Sequence, residues 1–237
     1  MSIIVLDPGT QTTVQDLGRP GYAHLGISAS GAADAFSFRI GNQLVGNKPN
    51  TAALEITLTG GKYELGSSAV IAITGSVFDT SIDDKPVTNW NRYKTQKGQC
   101  LRINSSYDGA RCYICVKGGF DVPPLLSSRS THLLTGMGGF GGRTLRKGDV
   151  LELEHASELQ CAKVNNVNEI KRHLNCDTIR VTKGLEGGWF NDDAWDLFLN
   201  KQFSVSHAFS RMGIKLEGNS IGSVSYTHLT LPTILLV

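Results

Sequence analysis

Residues 53–74 read ALEITLTGGKYELGSSAVIAIT. Three apolar runs, 53–58, 62–65 and 69–74, are split by Gly60-Gly61 and by Gly66. Each run is too short for a typical helix, and Ile56, Thr57, Val70, Ile71 and Ile73 favour extended backbone. The stretch predicts three short strands joined by glycine turns.

The same signature recurs on both sides. Residues 3–6 form a short apolar run that Pro8-Gly9 turns, and residues 16–21 (DLGRPG) read as a turn-rich loop. Asp83-Asp84 predicts a hairpin between strands 80–82 and 85–87. Strands are expected at 99–103 and 111–116, with a turn at Tyr107-Asp108-Gly109, and again at 150–153. The best early helix spans about 30–45. Ser30 can cap it, Asp34 lies in its first turns, and Phe36, Phe38, Ile40, Leu44 and Val45 can supply its buried face before Gly46-Asn47 ends it. The fold class is therefore mainly β with a few short helices, and regularly spaced strands with glycine turns indicate a barrel or a sandwich.

Residues 1–160 are read as a first β subdomain and 161–176, with Asn165, Asn166 and Asn168, as a polar linker. A second subdomain starts at 177–222. It carries a strand at 178–182, a short helix capped by Asn191, Asp192 or Asp193 and running through Leu199, and strands at 203–205 and 213–216. Residues 223–237 (SVSYTHLTLPTILLV) hold no Asp, Glu, Lys or Arg and are read as a non-native tail outside the fold.

Composition excludes several classes. The chain has 237 residues, 23 Lys+Arg against 21 Asp+Glu, and a formal net charge of +2. So even a balance gives no footprint for nucleic acid or an acidic membrane surface. Hydrophobic residues make up 40%, enough for a globular core, and the 27 glycines suit a loop-rich β protein. No apolar stretch is long enough to span a bilayer, and residues 1–8 lack a basic leader. A cytoplasmic protein with its five cysteines reduced is expected.

Several motifs tempt. Residues 136–141 (GMGGFG) match G-x-G-x-x-G, but Arg143 to Asp149 and then a strand follow instead of a helix, so the dinucleotide reading fails. Two readings of that loop remain open: an anion nest of backbone N–H groups with Arg143 beside it, or a tight glycine connection. No P-loop sequence occurs. Cys112 and Cys115 form C-x-x-C inside an expected strand, where residues three apart face opposite sides, so packing is expected and no redox or metal cofactor is indicated. The six histidines show no metal-ligand spacing, and no nucleophile elbow is present.

The strongest chemical cluster is the loop 12–21 (TTVQDLGRPG), which places an amide (Gln15), a carboxylate (Asp16) and a guanidinium (Arg19) within five positions. Either Arg19 binds a carboxylate or phosphate, or an Asp16–Arg19 pair pins the turn. Arg129, Ser130 and Thr131 form a second cluster with the same two readings: an anion site or a pinned loop.

Taken in order, 12–21, 24–26 (HLG), 30–34 (SGAAD), 53–57 (ALEIT), 118–124 (GGFDVPP), 128–131 (SRST), 138–143 (GGFGGR), 211–213 (RMG) and 216–218 (LEG) resemble one family. It is the biotin-dependent carboxyltransferase family, which includes the C component of 5-oxoprolinase, the Kip antagonist and the second component of allophanate hydrolase. The resemblance implies a cyclophilin-like β-barrel and a second barrel subdomain, incomplete here because the family pattern runs on beyond Gly218. It implies a hydrolase component in ATP-dependent opening of 5-oxoproline to glutamate, acting with a Kip inhibitor-like protein (the B component of 5-oxoprolinase) and a third 5-oxoprolinase component. ATP, which would phosphorylate the lactam oxygen, would be bound with or by the partner. Two alternatives stay open: a regulatory antagonist of the Kip inhibitor-like protein, or the carboxyltransferase module of a urea carboxylase, where biotin would enter. The catalytic candidates carried with the resemblance are Asp16, Arg19 and Asp34. The substrate-binding candidates are Gln15, His24, Ser30, Arg129, Ser130, Thr131, Gly138, Gly139 and Arg143. Three positions depart from the family pattern: Ala33 replaces a frequent Met, Gly61 a common Pro, and Ser127 a frequent Gly.

Overall fold

A computed structural model describes residues 1–154, 178–210, 213–222 and 233–234. The chain forms two compact units, Met1–Glu169 and Ile170–Val237.

The first unit holds β1 (Ser2–Asp7), β2 (Gln11–Gln15), α1 (Ala35–Leu44), β3 (Ala53–Thr57), β4 (Lys62–Leu65), β5 (Ala69–Ile82), β6 (Lys85–Pro86), β7 (Asn91–Thr95), β8 (Cys100–Val116) and β9 (Val150–Glu152). They build one nine-stranded sheet in the order β2-β3-β8-β4-β1-β9, and β5 pairs with β8, β6 and β7. β1 runs on into β2 and β3 into β4, so two long antiparallel chains cross one corner, paired from Ile3↔Leu65 to Gln15↔Ala53. Glycine makes that corner passable. A Cβ on Gly61 would lie 1.9 Å from the Asp7 carbonyl oxygen, and one on Gly9 would lie 2.2 Å from that of Gly60. The backbones touch there, the sheet bends sharply, and it curls into a half-barrel.

Strand alternation then sorts side chains by face. Val5, Val14, Leu54, Ile56, Ile71, Ile73, Ile114 and Val116 fill the concave interior, with Phe120, Leu145 and Leu151. Burying each such side chain is worth about 1.5–3 kcal/mol. The intervening Ala53, Ala72, Tyr113 and Cys115 face outward and receive Phe38, Leu44 and Val45 from α1 and its C-cap. Cys112 belongs to the inner cluster and Cys115 to the outer one. They lie on opposite faces, and burial pushes both thiols well above the usual range.

The second unit contains a 3-10 turn (Leu185–Trp189), α2 (Asp192–Asn200), β10 (Phe203–Ser210), β11 (Gly213–Gly218) and β12 (Thr233–Ile234). Asn191 caps α2 by accepting the Ala194 N–H at 2.9 Å. Phe190, Trp195, Phe198 and Phe203 form a row of ring contacts, and Lys183 Nζ sits 5.0 Å from the Trp195 ring centre. Among the described residues, no helix is long and apolar enough to cross a membrane.

Six expectations change, the first being that the strands expected at 69–74 and 80–82 are one continuous strand, β5. Residues 12–15 form β2 and not a loop. Helix α1 begins at Ala35 with Asp34 as its cap, while Ser30 has φ 55 and stands outside it. Tyr107-Asp108-Gly109 does not break the chain into two strands: β8 runs through it, and the excess backbone is absorbed as register shifts against β5 between Gly75 and Thr80. The edge strand β7 gave no signal, because its residues are mostly polar. Residues 178–182 form no regular strand. The expected linker 161–176 lies outside the described residues, as does the tail apart from 233–234.

Candidate functional site

Three connecting segments close over the end of β2. The first is 16–19, the second 125–131, and the third the glycine loop 136–142. Asp16 follows β2 directly and is 3% exposed. The Gly18 N–H, Ser128 Oγ and Ser130 Oγ donate to its Oδ1 at 2.7, 2.7 and 2.6 Å. The Arg129 N–H donates to Oδ2 at 2.6 Å. Four donors on one buried carboxylate compensate its lost hydration.

Arg19 is 1% exposed. Its Nη2 donates to the Ser130 carbonyl, its Nη1 to Ser30 Oγ at 3.3 Å, and its Nε to the Leu125 carbonyl at 3.4 Å. All three acceptors are neutral. Asp16 and Arg19 are joined through Ser130, whose hydroxyl serves the anion and whose carbonyl serves the cation. The direct Asp16–Arg19 pair weighed from the sequence does not occur among the ion pairs of the described residues.

Gly138 and Gly139 roof this cluster. A Cβ on Gly138 would lie 2.2 Å from the Ser130 carbonyl oxygen and 2.6 Å from Arg19 Nη2, and one on Gly139 would lie 1.9 Å from Thr131 Oγ1. Gln15 Nε2 donates to Thr13 Oγ1 at 3.0 Å and to the Thr131 carbonyl at 3.1 Å, while its buried Oε1 has no hydrogen-bond partner. Thr131 in turn donates both its N–H and its hydroxyl to the Val14 carbonyl.

Gln15, Asp16, Arg19, Ser30, Ser130, Thr131, Gly138 and Gly139 thus form one contact set. Arg129 enters it through its backbone only. Its guanidinium turns away to the Val122 carbonyl, at 2.8 Å, and to Glu154. Arg143 makes a two-pronged pair with Asp149 at 2.8 and 2.9 Å and lies 5.3 Å above the Phe140 ring. Its guanidinium lowers the Asp149 pKa. Arg129 and Arg143 both remain partly open to solvent. Asp34 sits at the cap of α1, where its carboxylate accepts from the Ser37 N–H at 3.0 Å and from the Ser37 hydroxyl. His24 is exposed on the 3-10 turn Ala23–Leu25.

Sequence reading passed over Glu55 and Tyr113. They face each other across β3 and β8. Glu55 Oε2 accepts the Ala33 N–H at 2.8 Å and the Tyr113 hydroxyl at 2.9 Å, and Tyr113 Oη accepts the Asp34 N–H at 2.8 Å. Arg111 Nε stands 3.6 Å from Glu55 Oε1. Burial, with Glu55 alongside, holds the Tyr113 phenol well above its ordinary pKa, so it keeps its proton to donate. The available signal was a single carboxylate inside the buried run ALEIT.

A curled antiparallel half-barrel whose connecting loops close on a polar, arginine-bearing cluster defines a β-barrel domain with a loop-borne site. The chain belongs to the biotin-dependent carboxyltransferase family: the family described as "Carboxyltransferase domain, subdomain A and B" matches residues 25–233. It is 37% identical over 228 residues to the urea amidolyase of Lachancea kluyveri, covering 90% of this chain and 12% of that protein. It is 37% identical over 215 residues to the C component of the 5-oxoprolinase of Escherichia coli, covering 90% of this chain and 68% of that one. The crystal structure of the Kluyveromyces lactis urea carboxylase matches with a TM-score of 0.83 at 31% identity, over 94% of this chain and 21% of that one.

Proposed function

We propose that the chain is the C-type component of an ATP-dependent 5-oxoprolinase, acting with a Kip inhibitor-like protein and a third component. The supporting observation is the relative from Escherichia coli, which is matched over most of its own length. The reaction converts 5-oxoproline, ATP and two waters into glutamate, ADP and phosphate. ATP supplies the drive by activating the lactam oxygen.

No P-loop sequence is present, and ATP is assigned to a site formed with or by a partner protein. What this chain offers is a preorganised platform for a small acid. Arg129, at the open margin, exchanges Glu154 for the substrate carboxylate. The N–H groups of the 138–141 loop are assigned to the developing negative charge. Asp16 and Arg19, closed off from solvent, hold those two segments at a fixed spacing, and Asp34 holds the start of α1.

A second reading, transfer of a carboxyl group to urea with biotin as carrier, is favoured by the equal identity to a urea amidolyase. One experiment tests both. The full chain is co-expressed with its two partners, and glutamate and ADP formation from 5-oxoproline are followed. The 5-oxoprolinase reading expects glutamate only when this chain is present, and Arg129→Ala lowers the rate at least tenfold. A complete set that makes no glutamate overturns it. Carboxylation of urea with a biotin carboxylase would replace it by the second reading.

A further inference from the structure

The segment 29–34 connects two networks. On one side it is zipped to the loop that carries Asp16 and Arg19. The Arg19 N–H donates to the Ala29 carbonyl at 2.7 Å, the Ala32 N–H donates to the Asp16 carbonyl at 2.8 Å, and Ser30 Oγ accepts from Arg19 Nη1. On the other side its last two N–H groups, on Ala33 and Asp34, end on Glu55 and Tyr113. Glu55 is 1% exposed and Tyr113 fully buried. Both sit on the convex face of the half-barrel, on two adjacent inner strands, where the backbone is held by ladders on both sides. A buried carboxylate is costly in such a place unless its acceptors are used, and here a phenol and a backbone N–H use one oxygen while Arg111 faces the other.

We infer that Glu55 and Tyr113 are positioning residues: they lock the 29–34 segment to the rigid sheet and thereby fix the placement of Arg19 and of the loops it binds. Neither touches the candidate substrate surface. Their effect passes from Glu55 and Tyr113 to Ala33 and Asp34, along the segment to Ala29, Ser30 and Ala32, and so to Asp16 and Arg19. The two arms of the lock are not equivalent. A glutamine at 55 keeps an oxygen that can accept from both Ala33 and Tyr113, and loses the charged oxygen that faces Arg111 Nε at 3.6 Å, beyond hydrogen-bond distance, with its NH2 group standing there instead. A phenylalanine at 113 removes the acceptor of the Asp34 N–H and the donor to Glu55 together. The lock therefore depends on hydrogen-bond geometry more than on the charge of Glu55.

The role in turnover rests on the 5-oxoprolinase reading, whereas the lock itself does not, so the test has two readouts. The first is backbone amide exchange of the full chain alone, which needs no substrate. In Tyr113→Phe and Glu55→Ala the amides of Arg19, Ala32, Ala33 and Asp34 are expected to exchange at least tenfold faster. Those of the β5 and β8 centre should stay within twofold. Glu55→Gln should remain within threefold of the parent throughout. The second readout is steady-state kinetics of the assembled complex. Tyr113→Phe should lower kcat about tenfold with KM within twofold, and Glu55→Gln should retain most of kcat. Unchanged exchange at 19 and 32–34 in Tyr113→Phe overturns the proposal, as does acceleration spread evenly over the sheet. Glu55→Gln as damaging as Glu55→Ala also overturns it, because charge and not placement would then be at work. Should Glu55→Ala fail to fold, the nearly isosteric Tyr113→Phe decides. A wild-type complex without glutamate formation would sink the 5-oxoprolinase reading and leave the exchange result standing.

Discussion

Ser130 donates its hydroxyl to Asp16 Oδ1 at 2.6 Å across 114 residues of sequence, while the Asp16 N–H donates back to Ser130 Oγ at 3.1 Å. The same residue gives its carbonyl to Arg19. One serine thus stands between a buried anion and a buried cation and hydrogen-bonds to both. Charge neutrality is reached across a hydrogen-bonded bridge, with no direct ion pair, which leaves both groups rigid and closed to water.

Asp16→Asn should cost about 3 kcal/mol of folding stability. The asparagine NH2 group would confront hydrogen-bond donors at one of the two positions where the carboxylate now accepts, leaving a buried donor without a partner. Urea unfolding checks this. Ser128→Ala and Ser130→Ala should each cost about 2 kcal/mol: each removes one of several donors to Asp16 and also takes the hydroxyl acceptor from a buried N–H, that of Ser130 and that of Asp16 respectively. A double-mutant cycle between Asp16→Asn and Ser130→Ala should show strong coupling. Additive effects would mean that the bridge carries no energy.

Gly138→Ala should be among the most damaging small substitutions in the first unit. Its φ is +67°, and the new methyl would press on the Ser130 carbonyl oxygen and on Arg19 Nη2 at once. Neither can retreat without breaking the bridge to Asp16. A loss of at least about 2 kcal/mol is expected. Gly136→Ala is the control. Its φ of +64° carries the same backbone strain, but its nearest neighbour atom is 4.0 Å from the new Cβ. Only the backbone term, about 1 kcal/mol, should appear there. Equal losses at the two positions would show that the roof over Arg19 is not tightly packed.

Ser127→Gly should stabilise the protein. Ser127 has φ 62 and follows Leu126 at φ 51, a left-handed pair without glycine. Relief of about 1 kcal/mol in the native state is partly offset by the greater freedom of an unfolded glycine, so a net gain of about 0.5 kcal/mol is expected. A thermal melt reads it as a rise of a few degrees at most. A lower Tm would mean that the Ser127 side chain has a role no contact in the fold explains.

The fold was legible where pattern and burial agree. The runs around Ala53, Lys62 and Ala69, the Asp83-Asp84 hairpin and the Asn191 cap all follow from local chemistry. Reading failed where tertiary pairing overrides it. Thr12 to Gln15 look like part of a polar loop, but they are buried because β3 lies on one side and Thr131 on the other. Ser30 resembles a cap, yet the segment it occupies is pulled to Asp16 and Arg19, which delays the helix to Ala35. The site was half legible. Its residue types were visible in TTVQDLGRPG and SRST, but the bridge through Ser130 depends on a contact spanning more than a hundred residues. Glu55 and Tyr113 stayed hidden because each looks like an ordinary strand residue until the other is placed opposite it.

The Arg143–Asp149 pair gives a pH signature with a definite sign. Hydrogen bonds from Arg143, followed by the Arg146 N–H, lower the Asp149 pKa from its ordinary value of 3.8. In the unfolded chain that carboxyl binds its proton nearer the ordinary value. The pair's contribution is therefore complete at neutral pH and stays so down to the unfolded pKa. It fades as pH falls from there through the lower folded value. Asp149→Asn removes this linkage. The Tm difference between the parent and Asp149→Asn should be constant from pH 7 to about 5. It should then shrink as the solution is acidified past the ordinary carboxylate range. A difference that stays constant to the acid limit would show that Asp149 works through packing alone, and one that grows on acidification would reverse the sign of the linkage.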